Sequence, residues 1–181
     1  VTPLLWAENC ASFEGVKGLL EAGADPNLSG EGGSPNPINI AAGMEESRVL
    51  DLLLQHGGDP DAVYPESVWT ALRIAFSLGM QEKGWTNYQR LRSAGANINQ
   101  IHAHTTIAEF AATMNQWDKV YELLQAGYRA QPEVLTGLVN TADPKTMADD
   151  QLPWLPKVRE ALEQLDTSER APAGAAPIVR R

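Results

Sequence analysis

Two histidines in the segment "IHAHTT" are the first residues of this sequence to suggest metal chemistry. His102 and His104 are separated by one residue, so both side chains would lie on one face of an extended segment. Imidazole nitrogens are common ligands of zinc, which usually takes three or four protein ligands. No third ligand is evident in the sequence, and paired histidines at an exposed loop tip are common. The pattern favours a polar loop, and we predict no metal site.

The single cysteine and a glycine-rich segment are the next candidates for chemistry. Cys10 has no histidine near it in the sequence, so we interpret it as a small half-buried packing residue in preference to a nucleophile. The segment 28–36, "LSGEGGSPN", follows no predicted strand and lacks the lysine of a phosphate-binding loop. We therefore predict no nucleotide site and no cofactor.

Two pairs of neighbouring carboxylates remain, Glu45 with Glu46 and Asp149 with Asp150. Acid–base catalysis needs side chains that reach the same substrate, whereas the side chains of adjacent residues diverge. Solvated surfaces explain both pairs better. Because these candidates supply no catalytic constellation, we predict that the chain is not an enzyme and has no catalytic residue.

Composition narrows the class of partner. The 181 residues suffice for one domain, and a net charge of -9 disfavours binding to phosphate backbones. An acidic surface favours a basic protein partner, although it also serves solubility. One cysteine excludes an internal disulfide, and no apolar run reaches the roughly 18 residues of a membrane helix. The chain begins at Val1, so we expect that an upstream segment, with any compartment signal, has been removed.

One sequence pattern recurs along the chain. The structural units that it predicts must hold any functional residues in place. Four stretches contain a glycine at the same place: "LLEAGADPN", "LLQHGGDPD", "LRSAGANIN" and "LLQAGYRAQ". These glycines are Gly23, Gly57, Gly95 and Gly127, and they are 34, 38 and 32 residues apart. A catalytic motif has no reason to recur at a fixed period, whereas a stacked structural unit does. The third unit carries about four extra residues, which we place in 80–83.

Each unit reads as two helices and a projecting loop. A capping residue opens the first helix at Thr2, Asn36, Thr70 and Thr106. The second helix has apolar residues at helical spacing, as in Val49, Leu50, Leu53 and Leu54. The glycine then ends it, because a left-handed residue costs least without a Cβ. One such unit cannot bury both helix faces, so we expect the units to stack.

These units resemble the ankyrin repeat, most clearly in "TPLLWA" and "VKGLLEAGADPN". The resemblance implies an all-α ankyrin-repeat solenoid of stacked helix-turn-helix units with projecting β-hairpin-like loops. The family's histidine in the helix-opening tetrapeptide is replaced by Leu5, Asn39, Arg73 and Glu109, so its hydrogen bonds between repeats are absent or replaced. The loops also lack the usual Asp-x-x-Gly turn.

The domain boundaries follow from the same pattern. We predict four repeats in 1–131, the first without its preceding hairpin. Residues 132–166 read as the helices of a degenerate C-terminal capping repeat, with Val158, Leu162 and Leu165 facing inward. Residues 167–181 have the composition of a flexible tail.

The large aromatic residues fall into two groups, one predicted to lie in the core and one in a projecting loop. Trp85 and Trp117 recur at one place, just before the second helix, and recurrence in register predicts core positions. Tyr64 and Trp69 lie in a loop that the stacked helices do not need. Packing under that loop and contact with a partner are both open for these two residues.

The resemblance to ankyrin proteins also implies that loop tips and first-helix ends form a protein-binding face. The candidate binding residues are Trp69, Tyr64, Met44, Leu78, Met114, Pro35, His102 and Thr105, with Asn9, Cys10, Gly43, Ser77 and Thr113 as further helix-end positions. We expect a monomer that forms a one-to-one complex.

"HGGDPD" and "WDKVYELL" are similar to segments of a bacterial group of single-domain ankyrin proteins associated with type VI secretion effectors. That resemblance implies an immunity protein of the periplasm, which inhibits a secreted effector enzyme such as a lipase or phospholipase. A generic adaptor or scaffold, or an effector delivered into a host, is the alternative, and the cytoplasm is the alternative compartment.

Overall fold

A computed structural model describes residues 2–9, 12–30, 35–63, 69–82 and 85–170. Cys10 and Tyr64 lie outside the described residues, as does the Asn9 side chain. The described residues are helical, in agreement with the all-α class. Their only extended pairings are two isolated antiparallel bridges, Val63 with Thr70 and His102 with Thr105. The chain divides into two compact units, residues 1–107 and residues 108–181.

The first unit contains three helix pairs. Its helices are α1 (Pro3–Asn9), α2 (Phe13–Glu21), α3 (Pro37–Ala42), α4 (Ser47–Gln55), α5 (Ala71–Glu82) and α6 (Thr86–Ser93). Each first helix packs on the second helix of its own pair. The first helices α1, α3 and α5 also contact one another in succession, as do the second helices α2, α4 and α6. The three pairs are therefore stacked in register, and Ile38, Leu50, Leu53 and Leu91 are completely buried between them.

Side-chain caps begin the first helices of the first three repeats, as the sequence predicts. The Thr2 hydroxyl accepts a hydrogen bond from Leu5 N at 3.2 Å, and Asn36 Oδ1 accepts one from Asn39 N at 2.9 Å. Thr70 repeats the arrangement with the amide of Arg73 at 3.2 Å. Each cap satisfies an amide that the first turn leaves without a helical partner.

A left-handed glycine ends the second helix of every repeat. Gly23, Gly57, Gly95 and Gly127 have φ angles of 89°, 87°, 93° and 98°. The amide of the residue after each glycine reaches back to the helix, as in Gly58 N to Leu53 O at 2.9 Å. This is the Schellman closure, which needs a left-handed residue and therefore favours glycine. The predicted helix ends are confirmed.

The third repeat departs from the other two in this unit. Its first helix, α5, has 12 residues, against 7 in α1 and 6 in α3. The extra residues placed at 80–83 therefore lengthen a helix, at least as far as Glu82. Trp85, with φ 44° and ψ 8°, then occupies the N-cap of α6 in the left-handed region.

The second unit contains α7 (Ile107–Thr113) except for its first residue, together with α8 (Trp117–Gln125), α9 (Pro132–Thr141), a 3-10 turn (Pro144–Thr146) and α10 (Trp154–Arg170). α10 packs on both α8 and α9. Val158 and Leu162 are buried, as predicted, whereas Leu165 is half-buried. α10 extends four residues into the segment that we predicted as tail, and residues 171–181 lie outside the described range.

Helix length and hydropathy bear on the membrane question. No helix in the described ranges is long and apolar enough to cross a bilayer.

The left-handed glycines allow a direct test of this account. A Cβ at Gly57 meets nothing within 4 Å, so Gly57→Ala changes backbone strain alone. We expect this variant to lower the free energy of unfolding by about 1–2 kcal/mol, the cost of a left-handed L-residue. Gly18→Ala is the matched control, because Gly18 lies inside α2 with equally open surroundings. It should raise the stability by about 0.5–1 kcal/mol. Urea denaturation of both variants measures the difference, and two shifts of the same sign would contradict it.

Candidate protein-binding surface

Side chains of the first two repeat loops join those loops directly. Asp25 Oδ1 accepts a hydrogen bond from Asn27 N at 2.8 Å, which fixes a tight turn after the first repeat. The Asn27 side chain then spans to the next repeat. Its Nδ2 donates to Gly57 O at 3.0 Å, and its Oδ1 accepts from Asp59 N at 2.7 Å. One amide side chain thus satisfies a donor and an acceptor of the neighbouring loop.

The same device joins the second and third loops. Asp59 Oδ1 accepts from Asp61 N at 2.9 Å, and Asp61 Oδ1 accepts from Asn97 N at 2.6 Å. Gln100 Nε2 donates to Asp61 O at 2.8 Å. The Asp-Pro-Asn, Asp-Pro-Asp and Asn-Ile-Asn segments therefore form one hydrogen-bonded ladder, which holds the bases of the loops at fixed spacing.

Two buried asparagines tie helices to distant backbone. Asn39 lies where the ankyrin repeat commonly has a histidine, and its Nδ2 donates to Ala62 O at 3.0 Å. The missing histidine bond is thus replaced in the second repeat. Asn87, only 4% exposed, directs its Nδ2 to the carbonyls at the end of α3, of which Met44 O at 2.7 Å is the nearest. This bond links the start of α6 to the turn after α3.

An aromatic cluster lies beside that tie. The Trp85 ring is 5.0 Å from the Phe76 ring and 5.9 Å from the Tyr88 ring, and both pairs are edge-to-face. Gly79 allows the approach, because a Cβ there would lie 2.5 Å from Trp85 Cε3. Phe76 and Tyr88 are buried, whereas Trp85 is only half-buried. The prediction that Trp85 is a core residue is therefore only partly correct.

The exposed part of Trp85 borders a small pocket of about 40 Å³, which we name the Trp85 pocket. Its walls come from the turn after α3, the outer turns of α5 and the start of α6: Glu45, Ala75, Leu78, Gly79, Trp85, Thr86 and Asn87. Among the predicted binding residues, Leu78 lines this pocket, and Met44 lies next to it through its bond with Asn87. The structure thus places Met44 and Leu78, two of the predicted binding residues, beside the same pocket.

The other candidate residues lie elsewhere. Trp69 is half-buried, with the Arg73 guanidinium carbon 5.8 Å from its ring centre, so it has a packing partner and a partly exposed surface. Pro35 is half-buried before α3. Met114, which is 44% exposed, belongs to the second unit.

His102 and Thr105 close a tight turn. Their backbone groups exchange hydrogen bonds at 3.0 and 3.2 Å, and the intervening Ala103 and His104 have φ angles of 50° and 62°. Two consecutive left-handed residues define a type I′ hairpin turn, which usually contains Asn-Gly. Among the residues that the structure describes, no group of three or more His, Cys, Asp or Glu side chains could hold a metal ion.

Sequence reasoning overlooked Asn87 and Glu45 as parts of a site. Glu45 belongs to a carboxylate pair that the sequence assigns to a solvated surface, and the other repeats have no asparagine at the position of Asn87. The one available signal was the insertion in the third repeat, which coincides with the α5 end of the pocket.

Comparison with known proteins supports the repeat prediction. No protein-family model matches the chain. A cyclin-dependent kinase 4 inhibitor B from Bos taurus is 44% identical over 55 residues, which cover 30% of this chain and 40% of the relative. A protein of the same name from Rattus norvegicus is 33% identical over 90 residues, covering 50% of this chain and 65% of the relative.

The chain thus spans less than two thirds of the length of these curated relatives. Both relatives are ankyrin-repeat proteins, so the likeness supports an ankyrin-repeat chain. It equally supports a protein-binding module.

The hydrogen bonds from the Asn87 side chain to the end of α3 yield a stability prediction. Replacing Asn87 by alanine removes the donor that satisfies the end of α3 and leaves a small cavity, so we expect a loss of about 2–3 kcal/mol in unfolding free energy. Gln89→Ala, an exposed change on the same helix, should stay within about 0.5 kcal/mol of the parent. Chemical denaturation compares the two. Equal effects would mean that the Asn87 bonds contribute nothing to the packing of the third repeat on the second.

Proposed function

We propose that this chain is an immunity-type inhibitor that binds a secreted bacterial effector enzyme, a lipase or phospholipase, and blocks its activity. The observation that carries the proposal is the group of partly exposed apolar side chains around the Trp85 pocket, namely Met44, Leu78 and Trp85. Large side chains of this kind, held on a rigid base, commonly anchor protein interfaces.

The inhibition we propose is steric and electrostatic. The hydrogen-bonded loop ladder fixes the bases of the loops before a partner arrives, which reduces the ordering cost of association. The net charge of -9 would attract a partner with a basic surface and raise the association rate at low salt. Covering the active site of the enzyme would then suffice for inhibition.

The relatives support this mode of action. Their names describe inhibitors of a kinase, so in those proteins the function is directed against an enzyme. Transfer of that mode to a secreted effector rests on the resemblance of "HGGDPD" and "WDKVYELL" to the bacterial group. We propose the periplasm as the compartment on the same ground.

A pulldown with the purified chain from the source bacterium tests the proposal. We expect to retrieve a secreted lipase or phospholipase that forms a one-to-one complex and loses its activity when the complex forms. An adjacent toxin gene would agree with this result. Retrieval of only unrelated host-type proteins would instead favour an adaptor or host-directed effector.

The start of α5 is a second candidate part of the interface, and it can be tested at Trp69. We expect Trp69→Ala to weaken effector binding by at least ~2 kcal/mol, the scale of a buried aromatic anchor, with little change in melting temperature. Trp117→Ala is the matched contrast, because Trp117 is only 1% exposed. It should cost ~3–5 kcal/mol of stability. Calorimetric titration and thermal melts separate the two effects, and unfolding caused by Trp69→Ala would assign Trp69 to the core.

A further inference from the structure

A groove of about 470 Å³ runs between α9 and α10, the last two helices in the described part of the second unit, and we name it the α9–α10 groove. Its floor is apolar, because Val139 and Leu162 are buried and Leu165 is half-buried. Its volume falls within the range of known ligand sites, about 300–1,000 Å³. The groove is therefore large enough to receive several side chains at once.

Three carboxylates and one guanidinium stand along the rim of the groove. Glu133 lies on α9, and the other three exposed residues lie on α10: Arg159, Glu163 and Asp166. Three negative charges and one positive charge leave the rim with a net charge of -2. An apolar floor inside a negatively charged rim suits a short segment that combines apolar side chains with basic ones.

The groove lies on the side of α10 that faces away from α8. Four residues of α10 line a separate pocket with Tyr121 and Gln125 of α8, and therefore face α8: Lys157, Glu160, Ala161 and Gln164. The rim residues of α10, from Arg159 to Asp166, lie two positions later, which is about 200° around the helix. In a repeat stack a further helix pair would pack on this side, and none follows α10 in the described ranges.

The chain itself contains a segment of the matching chemistry. Residues 171–181, "APAGAAPIVRR", follow α10 in the sequence and lie outside the described residues. Ile178 and Val179 are the only large apolar residues among these eleven, and Arg180 and Arg181 are the only charged ones. Two adjacent apolar side chains and two positive charges thus complement the apolar floor and the net charge of -2 at the rim.

Residues 171–177 are long enough to bring this segment back over the groove. An α-helix advances about 1.5 Å per residue, so Leu162 lies about 12 Å before Arg170 along the axis of α10. Seven extended residues span up to about 23 Å. Ile178 can therefore reach the level of Leu162 with chain to spare.

We propose that residues 178–181 of the chain occupy the α9–α10 groove, with Ile178 and Val179 on the apolar floor and Arg180 and Arg181 at the acidic rim. The segment thereby shields the apolar surface that the last helix pair leaves at the open end, which repeat proteins otherwise cover with a capping unit. This inference goes beyond the proposed function, because it requires no effector.

A competition experiment on the full chain tests the occupancy. Ile178→Ser combined with Val179→Ser removes the apolar pair and should leave the groove free. A fluorescent peptide of residues 176–181 should bind this double variant with a dissociation constant on the order of 0.1 mM. The parent chain should bind the peptide about tenfold more weakly, because a tethered segment competes at an effective concentration on the order of 1 mM. Fluorescence anisotropy measures both affinities.

A matched control changes the linker without changing the docking segment. Ala173→Ser combined with Ala175→Ser introduces the same number of hydroxyl groups into residues 171–177. It should bind the peptide as weakly as the parent chain does, because its apolar pair and both arginines are intact.

Charge-neutral variants test where the peptide binds. Glu163→Gln, made in the Ile178→Ser and Val179→Ser background, should weaken peptide binding about two- to fourfold, the scale of one surface ion pair. Glu160→Gln in the same background is the matched control, since it removes the same charge from an exposed residue of α10 that faces α8. It should leave the affinity unchanged, and circular dichroism verifies that both variants fold.

Three outcomes would overturn the inference. Equal peptide affinities of the parent chain and the Ile178→Ser, Val179→Ser variant would mean that the segment does not occupy the groove. Equal effects of Glu163→Gln and Glu160→Gln would mean that only the overall charge attracts the peptide. A dimeric parent chain and a monomeric double variant in light scattering would mean that the segment docks on a second copy. None of these outcomes bears on effector binding, which the pulldown tests separately.

Discussion

The left-handed glycine at the end of each second helix is the constraint on which the rest of the structure depends. An L-residue at this position would cost about 1–2 kcal/mol, and the cost would recur in each of the four repeats. With glycine, the Schellman closure satisfies the last carbonyls of the helix and turns the chain out at a constant angle. A constant exit angle is what allows successive loops in the first unit to meet.

The loop ladder follows from that constant angle. Asn27 can bond both Gly57 O and Asp59 N only if the second loop leaves its helix as the first one does. Asp61 extends the pattern to Asn97 in the third loop. Because the geometry repeats from loop to loop, short polar side chains that usually bond only within their own turn form links between repeats. These links hold the bases of the loops in place, and a surface fixed in advance loses little entropy when a partner binds.

Some of this structure could be predicted from the sequence because its causes are local. Glycine adopts the left-handed helix end at the lowest cost, so the period of Gly23, Gly57 and their equivalents predicts where each second helix ends. The caps at Thr2, Asn36 and Thr70 have an equally local cause. The Asn87 tie could not be predicted, because its acceptors lie 43 to 46 residues away and no other repeat has an equivalent. The Trp85 pocket depends on that tie and on the length of α5, so it was missed for the same reason.

Trp85 and Trp117 show that a shift of one residue in where a helix begins separates a half-buried position from a fully buried one. Each tryptophan precedes the glycine of its repeat by ten residues, Gly95 and Gly127 respectively. Trp117 is the first residue of α8 and is 1% exposed, whereas α6 begins only at Thr86 and leaves Trp85 half-buried. The longer α5 accompanies this delay, and the left-handed backbone of Trp85 is its energetic cost. The left-handed backbone of Trp85 contributes nothing to stability. Strain of this kind is more readily understood at a binding site than in a core, because contacts with a partner can offset its cost.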